Sequence, residues 1–208
     1  MNDPCSDAVN FDSRPYSLAC ERNKGPILEV LRQHLATVRS VLEVGSGTGQ
    51  HAVHFAAHLP HLRWQCSDRH ENLRGIATWL DEAGLPNTPP PLPLDVTGQW
   101  PATRFDAVYS ANTLHIMSWP EVEAFFRALP AVLNAEATLA IYGPLRYAGQ
   151  HTSESNAAFD ESLRREVPHR GIRDFNAVDA LAGAIGLQLQ ADEAMPANNR
   201  CLIWKLGA

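Results

Sequence analysis

Apolar residues along this chain follow two spacings, and their alternation predicts strands interleaved with helices. Short apolar runs that end at glycine, proline or polar residues have the length of buried strands. These runs lie at 41–44, 62–66, 92–96, 105–110, 137–142, 187–191 and 201–206. Most segments between them carry apolar residues three or four positions apart, which is typical of amphipathic helices. This order predicts a doubly wound α/β fold with one mostly parallel sheet of seven strands.

Proline and turn signals add detail to this sheet. The third run is short and proline-dense, and because proline is tolerated on edge strands, we expect this strand at an edge. The last two runs flank a turn at 195–199, which predicts a hairpin and a final strand antiparallel to the others. Pro26 precedes apolar residues at helical spacing, which predicts a helix that begins there.

Two polar segments depart from the regular pattern. Residues 1–25 form an N-terminal arm that we expect to lie over the functional site. Residues 143–172 form an irregular, lid-like insertion after the fifth strand, with one short helix marked by Phe159, Leu163 and Val167. Because no linker divides the chain, residues 1–208 are expected to fold as a single domain.

Composition and charge narrow the function classes. With 208 residues, 45% of them hydrophobic, the chain is long enough to bury a sizeable core. Its 17 basic and 23 acidic residues give a net charge of −6, which disfavours nucleic acid and anionic membrane as partners. Cys5, Cys20, Cys66 and Cys201 are scattered and are expected to be reduced thiols. The polar N-terminus and the lack of a long apolar run predict a cytoplasmic protein.

A glycine-rich turn, residues 45–49, follows the first predicted strand. A triphosphate-binding loop would continue with lysine, whereas Gln50 and His51 follow here, and a dinucleotide fold favours a small residue at position 50. Glu43, two residues before the turn, would repel a pyrophosphate and attract a cation. The pattern therefore favours an adenosine-like ligand that lacks phosphate and carries a positive charge, such as S-adenosylmethionine.

Two more carboxylates follow predicted strands. Asp68 comes after the second strand, where it can accept hydrogen bonds from both ribose hydroxyls. Asp95 comes after the third, where it can accept from the exocyclic amine of adenine while Val96 lines the ring. Because parallel strands bring their carboxyl ends to one edge, these residues and the glycine turn predict one ligand site.

The sequence resembles the class I S-adenosylmethionine-dependent methyltransferases at residues 42–49, 94–96 and 105–108. More narrowly, it is similar to small, poorly characterised methyltransferase-like proteins found in bacteria and eukaryotes. The segments that carry this narrower resemblance are 19–23, 46–52, 151–156, 171–175 and 195–199. The resemblance implies the fold and the cofactor S-adenosylmethionine, with S-adenosylhomocysteine as product, and it implies no particular acceptor.

Cofactor roles follow from this resemblance. Residues of the glycine turn would approach the methionine part of the donor, Arg22 would pair with its carboxylate, and Asn112 would lie at the sulfonium side. The predicted cofactor-binding residues are Arg22, Glu43, Gly45, Ser46, Gly47, Thr48, Gly49, Asp68, Asp95, Val96 and Asn112.

The acceptor side is predicted from the loops at the same sheet edge. His115 is a candidate general base because histidine titrates near neutral pH, and a structural histidine under the pocket is the alternative. His151 is a second catalytic candidate with the same alternative. Tyr142, Asn198 and Asn199 are expected to bind the substrate. We expect Asn112 and His115 to line the bottom of a pocket for a small polar molecule, and the 143–172 segment to cover it.

The predicted reaction is direct in-line methyl transfer that needs no metal. His51, His54 and His58 share helical spacing, which suggests a metal site, but we expect them on the solvated side of their helix. Two rival functions stay open at this point. They are a non-catalytic S-adenosylmethionine-binding module and a dinucleotide-dependent oxidoreductase.

Overall fold

The computed structural model describes residues 14–207, so Cys5 and residues 1–13 of the predicted arm lie outside it. The helices are α1 (Leu18–His34), α2 (Gln50–His58), α3 (Leu73–Ala83), α4 (Trp119–Val132), α5 (Glu154–Glu166) and α6 (Phe175–Ala184). The strands are β1 (Ser40–Val44), β2 (Arg63–Asp68), β3 (Leu92–Pro93), β4 (Phe105–Ala111), β5 (Leu133–Tyr147), β6 (Gln150–His151), β7 (Arg173–Asp174), β8 (Leu187–Met195) and β9 (Asn199–Leu206).

Seven strands form the main sheet in the order β3-β2-β1-β4-β5-β9-β8. Strands β1 to β5 pair in parallel, and β9 runs antiparallel between β5 and β8. The predicted mostly parallel α/β sheet with a reversed last strand is therefore confirmed. The proline-dense strand β3 lies at an edge, as its sequence predicts.

Hydrophobic side chains cover both faces of this sheet, as a parallel sheet requires. On one face, α4 and α6 pack against the strands around the buried residues Phe125 and Trp204. On the other face, α1, α2 and α3 pack around Phe55 and Trp64. Because helices cover both faces, a ligand can approach the central strands from their carboxyl ends.

The helix α1 begins earlier than its proline predicts. Ser17 caps it, because its hydroxyl oxygen accepts a hydrogen bond from the Cys20 N–H at 3.3 Å. Pro26 therefore lies inside the helix, and the prediction that the helix begins there is wrong. The apolar residues after the proline, Ile27, Leu28 and Leu31, are buried against the sheet and hold α1 in place.

The 143–172 segment is more regular than the sequence indicates. Strand β5 continues to Tyr147 because its extension has partners on both sides: β6 pairs with it antiparallel and β7 in parallel. Between β6 and β7, the helix α5 runs over 13 residues and buries Leu163. The short helix predicted from Phe159 and Leu163 is therefore confirmed as α5, whereas the irregular course predicted for the rest of the segment is wrong. Within residues 14–207, no helix combines the length and apolarity that crossing a bilayer requires.

Truncation of a core residue of α4 should measure how strongly the helix layer stabilises the sheet. We expect Leu129→Ala to lower the free energy of unfolding by about 2–5 kcal/mol, because Leu129 is fully buried and its removal leaves a cavity. Leu189→Ala is the matched control, since Leu189 is an exposed leucine of β8. Chemical denaturation measures both values, and equal losses in the two variants would contradict this packing.

Candidate functional site

A cavity of about 1310 Å³ opens at the carboxyl ends of β1, β2, β4 and β5. Of the site residues predicted from the sequence, eleven line it: Arg22, Gly45, Ser46, Gly47, Thr48, Asp68, Val96, Asn112, His115, Tyr142 and Asn199. The other five described candidates lie outside the lining: Glu43, Gly49, Asp95, His151 and Asn198. The structure thus brings most of the predicted residues around one cavity.

The glycine turn approaches its neighbours too closely for side chains. Gly45 has a φ of 77°, and a Cβ there would clash with the side chain of Thr113, which follows β4. Gly47 has a φ of 58°, and a Cβ there would meet no atom of residues 14–207 within 4 Å. The backbone of the turn therefore packs against β4 on one side and faces open cavity space at Gly47.

The Asp68 carboxylate joins the ends of β2 and β1. Its Oδ2 accepts a hydrogen bond from the Gly47 N–H at 2.7 Å. Its Oδ1 accepts from the Arg69 N–H at 2.7 Å and from the Asn72 amide at 2.8 Å. These donors fix the orientation of the carboxylate at the cavity wall.

Glu43 lies beneath the turn and is 2% exposed. Its Oε2 accepts hydrogen bonds from Ser46 Oγ at 2.9 Å and from Trp64 Nε1 at 3.0 Å. Burial raises the pKa of this carboxyl group to about 7, although these two donors oppose the shift. Near neutral pH Glu43 is therefore only partly ionised, and its ionised form would act on a ligand in the cavity from below the turn.

Asp95 is exposed and its carboxylate turns away from the cavity. Its Oδ1 accepts from the Thr97 hydroxyl at 2.7 Å and the Thr97 N–H at 2.9 Å, which together lower its pKa. Its Oδ2 lies 3.4 Å from Arg69 Nε. The neighbours Leu94 and Val96 line the cavity instead, so this part of the wall is apolar.

Asn112 and His115 follow β4 and line the cavity. Asn112 adopts a φ of 58°, and its N–H donates to the Tyr142 carbonyl at 2.8 Å, which ties the loop to β5. Burial, and then the charges of Arg173 and Arg170, lower the pKa of His115 to about 4. His115 is therefore neutral at neutral pH and a weak base.

Two residues at the α1 side of the cavity, Asn23 and His51, were not among the site residues predicted from the sequence. Asn23 lines the cavity, and its Oδ1 accepts a hydrogen bond from His51 Nε2 at 2.7 Å. His51 is 4% exposed, stacks on Phe55 and has a pKa lowered to about 4 by burial. The prediction that His51 lies on a solvated helix side is therefore wrong. Its position two residues after the glycine turn, in the first turn of α2, was the available signal.

Arg22 lines the cavity on the same side as Asn23. Its Nε donates to the Leu18 carbonyl at 3.3 Å, and it forms no ion pair with any residue between 14 and 207. Within that range, no three histidine, cysteine, aspartate or glutamate side chains gather as metal ligands. The metal independence of the protein stays a prediction.

The end of the cavity where the sequence predicts the acceptor lies between β5, α5 and the β8–β9 turn. Tyr142 and Asn199 line it, and burial raises the pKa of Tyr142. His151 lies outside the lining, with its Nε2 3.6 Å from Asp160 Oδ2. Asn198 also lies outside; its carbonyl accepts from the Asn156 amide at 3.0 Å. The structure therefore does not bring His151 and Asn198 into the cavity wall.

Comparison with known families assigns the chain to one of them. Residues 14–206 match the family described as "Protein of unknown function (DUF938)". The chain belongs to this family. The match covers the arm beside the cavity, the sheet and the insertion after β5.

Solved structures with this fold are methyltransferases of low sequence identity. An O-methyltransferase family protein from Burkholderia thailandensis is 15% identical, with a TM-score of 0.80 over 91% of this chain and 58% of that chain. The S-adenosylmethionine-dependent methyltransferase SibL is 19% identical, with a TM-score of 0.78 over 91% and 56%. An O-methyltransferase family 2 protein from Planctomyces limnophilus, in complex with apigenin, is 15% identical, with a TM-score of 0.70 over 88% and 61%. This chain spans a little more than half of each and shares the Rossmann-like methyltransferase fold.

The pKa of Glu43 predicts a pH-dependent stability. Because its pKa is about 7 in the folded chain and near 4.5 when unfolded, its contribution to stability is lost as pH rises from 4.5 to 7. Relative to Glu43→Gln, the wild type should lose about 2–3 kcal/mol of unfolding free energy between pH 5 and 8. Denaturant titrations of both proteins at both pH values measure this difference. The histidines titrate alike in the two proteins, so their contribution to the difference cancels. A pH-independent difference would contradict the buried position of Glu43.

Proposed function

We propose that this protein is an S-adenosylmethionine-dependent methyltransferase that acts on a small molecule. The observation that carries the proposal is the bond between Gly47 and Asp68, which sets a carboxylate and an open glycine turn side by side in the cavity. A carboxylate can accept hydrogen bonds from ribose hydroxyls, and the space on the Cβ side of Gly47, which holds no atom of residues 14–207 within 4 Å, leaves room for a ligand against the backbone. The fold of the methyltransferase neighbours supports the same cofactor.

The chain offers a partner for each part of this donor. Asp68 would accept from the ribose hydroxyls, and Val96 would contact the adenine ring. The turn at 45–49 would lie along the methionine part, with the charge of Glu43 beneath it. Arg22 would pair with the carboxylate. When bound, the donor supplies an electrophilic methyl group on a sulfonium.

The acceptor would bind between polar and apolar walls. Asn112, Tyr142 and Asn199 offer hydrogen bonds, while Phe159 and Ile116 line the cavity with side chains that are 41% and 38% exposed. Exposed apolar side chains at a cavity wall favour a ligand with an apolar part. We therefore widen the expectation of a small polar acceptor to a small molecule with one polar group and one apolar part.

His115 would orient the acceptor rather than act as a strong base. With a pKa near 4 it is neutral and accepts a hydrogen bond, but it holds a transferred proton poorly at neutral pH. A bound donor would supply its methyl carbon to a lone pair of the acceptor atom held beside His115, and the electrons of the carbon–sulfur bond would return to sulfur. The acceptor's proton would leave to water. We assign no catalytic role to His151, since it pairs with Asp160 outside the cavity.

Donor binding is the first test. Isothermal calorimetry should show S-adenosylhomocysteine binding to the wild type, weakened by about 1–3 kcal/mol in Asp68→Ala because two hydroxyls lose a charged acceptor. Asp81→Ala is the control, since Asp81 is an exposed aspartate of α3. Equal affinity of wild type and Asp68→Ala would remove Asp68 from the site, and tighter binding of NAD would favour the oxidoreductase alternative.

Methyl transfer is the second test. After incubation with a methyl-labelled donor and a cell extract, mass spectrometry should detect a labelled small molecule. Tyr142→Phe should lower turnover, because we assign the Tyr142 hydroxyl to the acceptor. The affinity for the donor should stay within about twofold of the wild type, because the variant loses no hydrogen bond to the donor. Donor binding without any labelled product would instead favour the non-catalytic binding module.

A further inference from the structure

A second, smaller cavity lies between the end of β5, the helix α5 and the strand β7. It has a volume of about 320 Å³ and is lined by Trp119, Arg146, Arg164, Ile172, Arg173, Asp174 and Ala177. Three of these seven residues are arginines, and they come from three different elements: β5, α5 and β7. Folding therefore gathers three guanidinium groups around one small space.

The carboxylates nearby do not balance these charges. Asp174 lies 3.8 Å from Arg146, but its oxygens already accept from the Gly149 and Asn176 N–H groups. Asp160 pairs with Arg164 at 2.9 Å and also accepts from the Ile172 N–H. The three arginines at the cavity face two carboxylates, Asp174 and Asp160. A third carboxylate that acts on Arg173, Glu121, is paired with Arg69 at 2.7 Å, so an excess of positive charge remains at the cavity.

Arg146 is partly exposed, but its inner nitrogen forms no hydrogen bond with the described residues, since Asp174 Oδ2 is 3.8 Å away. The Nε of Arg146 is inaccessible to solvent and has no hydrogen-bond partner within residues 14–207. A buried and unsatisfied charged donor costs free energy, so such a group is expected to have a ligand. Its side chain is otherwise one-third exposed and can reach a molecule in the cavity.

Arg173 adds a fixed charge to the same cavity. It is 9% exposed, its Nε donates to the Leu114 carbonyl at 2.9 Å, and its Nη2 donates to the carbonyls of Met117 and His169. Burial, followed by the charge of Arg164, lowers the pKa of Arg173, as expected for like charges held close together. The guanidinium cannot move away, because three backbone carbonyls hold it.

We propose that this second cavity, between Arg146, Arg164 and Arg173, binds a compact oxyanion of the phosphate class. Arginine N–H donors match phosphate oxygens. Arg164 and Arg173 keep nitrogens that form no hydrogen bond within the described part of the chain, and with Arg146 they approach from three directions, which suits a tetrahedral anion better than a flat carboxylate. The cavity is large enough for a phosphate group with a small substituent. Free phosphate and the phosphate group of a small metabolite share this chemistry.

Calorimetric titration of the full chain with inorganic phosphate tests the proposal. We expect binding that Arg146→Gln and Arg164→Gln each weaken by about tenfold, the effect of losing one charge-assisted hydrogen bond. Arg165→Gln is the matched control, because Arg165 is a neighbouring arginine of α5 that is exposed and paired with Glu161. Arg173 is left intact, since its guanidinium holds the backbone of the segment 114–117.

A second titration with glycerol phosphate distinguishes the two sources of the anion. Tighter binding of glycerol phosphate would indicate a phosphorylated metabolite, whereas tighter binding of inorganic phosphate would indicate the free ion. Either result supports the site provided that the arginine variants weaken it. The absence of binding of both anions would overturn the proposal, as would binding that neither Arg146→Gln nor Arg164→Gln changes. If one variant fails to fold in a thermal melt, the other decides.

Discussion

The hydrogen bond from the Gly47 N–H to the Asp68 carboxylate joins the ends of two neighbouring strands, and the candidate site depends on it. It forms because the backbone turns sharply after β1, with Gly45 and Gly47 at positive φ. The same turn presses Gly45 against Thr113, at the end of β4. Three strand ends therefore meet at one edge, and the geometry of a single turn determines where a ligand can approach the backbone.

The residues that follow the parallel strands could be assigned to one site from the sequence, because parallel strands bring their carboxyl ends to one edge of the sheet. The turn at 45–49 and Asp68 line the cavity as this rule predicts. Asp95 was chosen by the same rule, yet its carboxylate lies outside the cavity because Thr97 and Arg69 bind it. The rule thus places the backbone of a residue, while local competition for hydrogen bonds decides the direction of its side chain.

Contacts between distant segments could not be predicted. His51 is buried because Asn23, 28 positions earlier, bonds to its ring, and no helical spacing reveals that partner. The position of Asn23 in turn depends on α1, which begins at Leu18 under the cap of Ser17 rather than at Pro26. The extension of β5 follows the same logic, since its partners β6 and β7 come later in the chain. In each case tertiary pairing overrode the local signal.

Arg173 lies between the two cavities and contacts the loop that follows β4. Arg173 borders the second cavity and holds the carbonyls of Leu114 and Met117, on either side of a segment that lines the first. After burial, its charge is the largest influence that lowers the pKa of His115. An anion beside Arg173 would offset part of that charge and raise the pKa of His115 toward its ordinary value. Occupancy of the second cavity would therefore change the basicity of the first cavity's wall without contact between the two ligands.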